Sequence, residues 1–208
     1  MRRPLVVTDC DEVLLHMVRH FRDWLGETHA IDFALNGDPF RQSFRRRDGG
    51  EELSDADKWQ YLTQFFDAEM HRQTAIEGAA AALTELAREA DVVVLTNLED
   101  RYQLSRTRQL LEHGIDARVF TNQGPKGPAL QRIVEEYAPS RAVFIDDIAN
   151  HHASAAEIAP SVSRLHFCGE PGVAPHIPCA HRAGDAHARL DTWSEALPWI
   201  LETLHGEP

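Results

Sequence analysis

The sequence predicts an α/β protein, a doubly wound parallel sheet with a small α-helical insert after its first strand. Three observations lead there. Short apolar, β-branched runs at 5–8, 92–95 and 142–145 are continuous, as in strands buried on both faces. Stretches rich in Ala, Leu and Glu lie between such runs at lengths that suit helices, which implies βαβ units. Residues 16–75 interrupt that alternation with no strong strand signal.

In chain order, Leu5-Val6-Val7-Thr8 reads as the first strand. The insert, 16–75, contains "HMVRHFRDWLGE" and "SDADKWQYLTQFFDAEMHR". In the second of these, Ser54 is an N-cap, and Trp59, Leu62, Phe65 and Phe66 share one helical face. A polar loop with Arg41, Arg45, Arg46 and Arg47 joins them and reads as a solvated surface. A helix follows at 77–90, a strand at 92–95, and a helix at 99–114 with Leu104, Leu110 and Leu111 as its apolar face, ending at Gly114. Val119-Phe120 mark a strand at 118–121. The helix at 127–139 opens on Gly-Pro and stops before Pro139. Strands at 142–145 and 162–167 precede a closing helix at 191–204, where Pro198 marks a kink or the true start. Residues 1–15 and 76–208 thus form the core, and 16–75 the helical insert.

The chain has 208 residues, 43% hydrophobic and 26% charged, which suits one globular domain carrying an insert. Its net charge of −12 repels phosphate backbones and excludes nucleic acid as a partner, though not a small phosphorylated ligand. The three cysteines, Cys10, Cys168 and Cys179, are too few for a disulfide framework and fit a reducing compartment. No apolar stretch is long enough for a signal peptide or a membrane span, so a cytoplasmic location is expected. His166, Cys168, His176, Cys179 and His181 lack the spacing of a zinc site. His151-His152 reads as surface, and Cys10 as buried and inert.

Three predicted strands end in chemistry: Asp9-Cys10-Asp11, Thr96-Asn97 and Asp146-Asp147. Lys126 precedes a helix. In an open parallel sheet such groups converge at the carboxyl edge. Four carboxylates repel one another unless a cation compensates them, and oxygen donors suit Mg²⁺. Lys126 supplies a point charge for an anion, and Thr96 with the amides near Asn97 can hold phosphate oxygens.

These motifs, in this order and each at a strand end, resemble the haloacid dehalogenase (HAD) superfamily. The match is to its DxD phosphatase branch with a helical C1 cap on a Rossmann-like core. The resemblance implies a Mg²⁺-dependent hydrolase that removes phosphate from a small phosphorylated metabolite through an aspartyl-phosphate. It makes Asp9 the nucleophile and Asp11 the general acid and then base. Thr96, Asn97 and Lys126 become the phosphoryl-binding residues. Asp9, the carbonyl of Asp11, and Asp147 become the Mg²⁺ ligands, with Asp146 in or near the shell. Glu12 departs from the glycine of many members, and Asn150 follows Asp147 by three residues instead of four.

The same first steps serve a phosphomutase or phosphotransferase. A dehalogenase needs neither Asp11 nor the acidic pair, and a phospho-receiver domain carries no helical insert after its first strand. A member retired to a binding or regulatory role would lack a catalytic group, and none is missing.

Overall fold

The computed structural model describes residues 2–33 and 44–206. Its elements begin with β1 (Leu5–Thr8) and the insert: α1 (Val18–Thr28), β2 (Ile31–Asp32), β3 (Arg45–Arg46), α2 (Asp55–Ala68) and a 3₁₀ turn at Met70–Arg72. The core resumes with α3 (Ala79–Glu89), β4 (Asp91–Thr96), a 3₁₀ turn at Asp100–Tyr102, α4 (Gln103–Glu112) and β5 (Arg118–Thr121). Then come α5 (Gly127–Tyr137), β6 (Ala142–Asp146), α6 (Ala149–Ile158), β7 (Ser163–His166), α7 (Ala180–Ala183), β8 (Ala188–Arg189) and α8 (Trp193–His205).

Six strands pair in parallel in the order β5-β4-β1-β6-β7-β8. This is the doubly wound α/β sheet expected from the alternation. The pleat sends alternate side chains of β1 to opposite faces. Val6 packs with Leu83 and Leu86 of α3 and Trp193 and Ile200 of α8. Leu5 and Val7 pack with Leu130 and Ile133 of α5 and Ala155 of α6. Because β1 lies between β4 and β6, the winding of the chain switches beside it, and in such sheets the carboxyl end of the switch strand is where ligands bind.

The two crossings between core and insert are stitched together. Leu15 pairs antiparallel with Ala75, His16 N donates to Thr74 O (2.9 Å), and Ile76 N donates to Leu14 O (2.8 Å). The insert has its own aromatic cluster: Phe21, Trp24, Phe33, Phe44, Phe65 and Phe66, packed also against Leu98, Tyr102 and Val173. Ser54 caps α2 as expected, its Oγ accepting from Asp57 N.

Several expectations need correction. The insert is not purely helical, because β2 and β3 form an antiparallel pair. Trp59 is 63% exposed and leaves the α2 face to Phe65 and Phe66. Arg41 lies outside the described residues. Arg45 and Arg47 are exposed, as expected of a solvated surface, and Arg47 bonds Asp32 and the carbonyl of Gly26 within the insert. The buried face of α4 is Arg106, Gln109 and Leu110, whereas Leu104 and Leu111 are 69% and 50% exposed. The α8 helix starts at Trp193 and runs through Pro198.

Candidate active site

The acids gather where β1 and β6 end side by side. Asp9 N donates to Ile145 O (2.8 Å), which fixes the first acid against β6. Asp9, Asp146 and Asp147 each offer a carboxylate oxygen within 4.8 Å of the others. Lys126 is fully buried, with its Nζ 2.7 Å from Asp9 Oδ1 and 2.7 Å from Asp146 Oδ2. What seats Lys126 is the next residue. A Cβ on Gly127 would lie 2.4 Å from Ser154 O, so only glycine lets α5 approach α6 this closely. Gly127 N also donates to Ser154 Oγ (3.1 Å).

Electrostatics divides the acids. Burial pushes Asp9 up to about 6, with Lys126 pulling the other way and Asp146 and Asp11 adding to the rise. Asp147 is raised well above the carboxylate range by burial, then by Asp146 and Asp9. Burial opposes ionisation of Asp146 too, but Lys126 and His151 outweigh it and hold that carboxyl well below its usual value. The Lys126 ammonium is raised because Asp146 and Asp9 overcome the cost of burial. One cation therefore serves two of three acids. Asp147, for which no side-chain hydrogen bond is found among the described residues, is the acid most in need of a counter-charge. Three clustered oxygen donors with a deficit of positive charge fit Mg²⁺.

Thr96 ends β4 fully buried, and its Oγ1 has no hydrogen-bond partner. An orphaned buried hydroxyl at a strand end suits an anionic oxygen. Asn97 is exposed; it donates to Gly124 O (2.9 Å) and accepts from Asn122 Nδ2 (2.8 Å), bracing the loop that leads to Lys126. The Asp11 carboxylate stands apart from the three-acid group. Arg106 Nη2 reaches both its oxygens at 3.0 and 3.1 Å, and Gln73 Nε2 donates to Oδ1 at 2.7 Å.

Arg106, Gln73 and the histidines were not singled out from sequence as site residues. Arg106 is fully buried, donates to Cys10 Sγ (3.2 Å) and lies 5.8 Å from the Phe66 ring centroid. His151 and His152, expected at the surface, are 7% and 0% exposed. His151 Nδ1 lies 3.0 Å from Asp146 Oδ1, and His152 Nε2 bonds Asp146 O (2.9 Å). His166 accepts from Ala180 N at Nδ1 and donates from Nε2 to Asp147 O (2.8 Å). Burial, then Arg189, lowers His166 to about 3, so it is neutral and that tautomer persists. Two imidazoles thus clamp the carbonyls of the acidic pair. Cys10 is buried, with its thiol pushed up by desolvation, as expected of an inert residue.

No protein-family model and no curated protein sequence matches the chain. Solved structures do. A HAD family hydrolase from Deinococcus radiodurans R1, with bound phosphate and sodium, superposes with a TM-score of 0.67 at 19% identity, covering 98% of each chain. The chain has the haloacid dehalogenase-like fold. A haloacid dehalogenase-like hydrolase from Streptococcus pneumoniae shares that fold at a TM-score of 0.67 and 11% identity, over 94% of this chain and 97% of its own. So does a protein from Haemophilus somnus described as a predicted phosphoglycolate phosphatase, at 0.64 and 14%, over 94% and 97%. At these identities the haloacid dehalogenase-like fold is what is shared.

Proposed function

We propose that this chain is a Mg²⁺-dependent hydrolase of phosphate monoesters that acts on a small phosphorylated metabolite through an aspartyl-phosphate on Asp9. The observation that carries the reading is Lys126 held between Asp9 and Asp146 inside a three-acid cluster, with the unpartnered Thr96 hydroxyl at the end of the neighbouring strand. The bound phosphate and the phosphatase description among the structural neighbours agree with it.

In this reading Asp9, Asp147 and the carbonyl of Asp11 would hold Mg²⁺, with Asp146 in or near its shell. The ion would neutralise phosphate charge and polarise its oxygens. As a carboxylate, the form that Lys126 favours against burial, Asp9 can attack phosphorus. Thr96 Oγ1 donates to a phosphoryl oxygen, and Lys126 offsets the charge gathering there. Asp11 enters the step protonated, gives that proton to the departing oxygen, and as the carboxylate so formed takes one from the water that cleaves the Asp9–phosphorus bond. The enclosing insert acts as the cap that selects the ester's other half.

A panel of phosphorylated metabolites, assayed for phosphate release with Mg²⁺ and with chelator, tests the reading. Release confined to the Mg²⁺ arm is expected. No release from any member would overturn it.

Arg106 and Gln73 orient the acid, which carries a second expectation. Arg106→Gln lowers kcat/KM on alkyl phosphates by on the order of 10²-fold, the scale of a lost general acid. On p-nitrophenyl phosphate, whose leaving group departs unprotonated, the loss is much smaller. An equal loss on both ester types would remove Arg106 from this role.

A further inference from the structure

A second group of potential metal ligands sits where the insert joins the sheet. Glu12 follows β1, His16 lies on the first crossing into the insert, and Glu170 lies on the loop after β7. One ligand atom from each falls within 4.8 Å of the other two. All three are buried, at 2%, 8% and 3% exposure.

The hydrogen bonding of the two carboxylates sets them up as ligands. Glu12 Oε1 accepts from Met17 N (2.9 Å) and Val18 N (2.6 Å), while Oε2 is buried with no partner. Glu170 Oε1 accepts from Gly172 N (3.1 Å) and Arg19 Nη2 (3.0 Å). Its Oε2 takes Arg19 Nε and lies 3.1 Å from His16 Nδ1. That last approach is outside hydrogen-bond geometry, so His16 Nδ1 is also buried and unpartnered. Glu12 therefore has one oxygen pinned and one without a partner, whereas both oxygens of Glu170 are pinned, Oε2 by Arg19 beside the His16 imidazole. Metal ligands are held this way, by outer hydrogen bonds that fix their direction. The Glu12 backbone is tethered too, since Gly169 N donates to Glu12 O (2.7 Å).

An ion pair alone does not account for this arrangement. Arg19 answers Glu170, but among the described residues no hydrogen bond reaches Glu12 Oε2 or His16 Nδ1, the latter only approaching Glu170 Oε2 at 3.1 Å, and leaving a buried carboxylate oxygen unsatisfied is costly. A cation among the three atoms satisfies both.

We propose that Glu12, His16 and Glu170 form a second divalent-cation site, separate from the Asp9–Asp146–Asp147 group, taking a borderline transition ion of the Zn²⁺ class. One imidazole with two carboxylates suits such an ion better than Mg²⁺. Bound there, it joins the insert, through His16, to the core, through Glu12 and Glu170. The site does not depend on the catalytic reading above.

The test uses Zn²⁺ as the probe and the full-length, metal-stripped chain. Asp9→Asn/Asp147→Asn removes ligands of the other group, and this double variant is expected to bind one Zn²⁺ in chelator-competition titrations. Adding His16→Gln or Glu170→Gln should weaken that binding by about tenfold or more. Glu12→Gln keeps both backbone hydrogen bonds to Oε1, so its loss of affinity reads the ligand and not the fold. Zn²⁺ should raise the melting temperature of the double variant, and not after His16→Gln is added. Absence of Zn²⁺ binding in the double variant overturns the proposal, as does binding that His16→Gln and Glu170→Gln leave unchanged. No arm reads phosphate release, so this failure is distinct from failure of the catalytic reading.

Discussion

Asp9→Asn lowers phosphate release by on the order of 10³-fold or more while the chain stays folded, because an amide cannot form the phosphoryl intermediate. The substitution is nearly isosteric in a site where Asp9 is 5% exposed. It removes one carboxylate from a crowded set and leaves Asp146 to hold Lys126. Circular dichroism and the melting curve should change little. Labelled substrate should leave a hydroxylamine-sensitive phosphoryl group on the wild-type protein and none on the variant. Equal turnover by the variant would show that another atom accepts the phosphoryl group, and the assignment of Asp9 would fall.

Lys126→Met acts on stability as well as chemistry. The side chain is fully buried and is the shared counter-charge for Asp9 and Asp146. Methionine keeps the stem and removes the charge, leaving Asp9 without its counter-charge and, among the described residues, Asp146 with only His151 and the Ile148 amide. Breaking a buried pair in this way costs about 3–5 kcal/mol. The sign of the pH dependence follows from the two acids. Asp146 is held low chiefly by Lys126 against its own burial, so in the wild type its contribution is present above the ordinary aspartate range and fades as pH falls. Asp9 is already raised to about 6, so its contribution is present in acid and lost as pH rises through 6. Without Lys126 both carboxyls move up. The variant's deficit is therefore greatest near neutrality and shrinks toward about pH 5, where both can hold protons. Urea unfolding in chelator at pH 7.5 and 5 measures it. An equal deficit at both pH values would mean that Lys126 matters by packing alone.

How far these features can be read from sequence depends on length and on contrast. β1, β4 and β6 are runs of Val, Leu and Ile buried on both faces, so composition alone reveals them. β2, β3 and β8 have two residues each, too short for any period to register. Asp9, Thr96 and Asp146 are legible because each interrupts or ends an apolar strand. Lys126 is legible because it precedes the Gly-Pro start of α5. The Asp11 clamp was hidden by the ordinary rule that arginine and glutamine mark a helix's wet side. In α4 that rule inverts, since Arg106 is answered by Asp11, and Gln109 by Met70 O and Gln73. Leu104 and Leu111 then face outward. Glu12 registered only as a missing glycine. Its left-handed backbone, φ +60°, keeps the turn that glycine would make, while its side chain turns inward to cap the start of α1.

The paired crossings at Leu15–Ala75 give the molecule a modular build. The polypeptide leaves and re-enters the sheet at neighbouring points already fastened to each other, so whatever hangs beyond them can be lengthened, shortened or exchanged as a cassette. Such a change must still keep the reach of Gln73 to Asp11, the hydrogen bond that ties the insert to an acid of the candidate site.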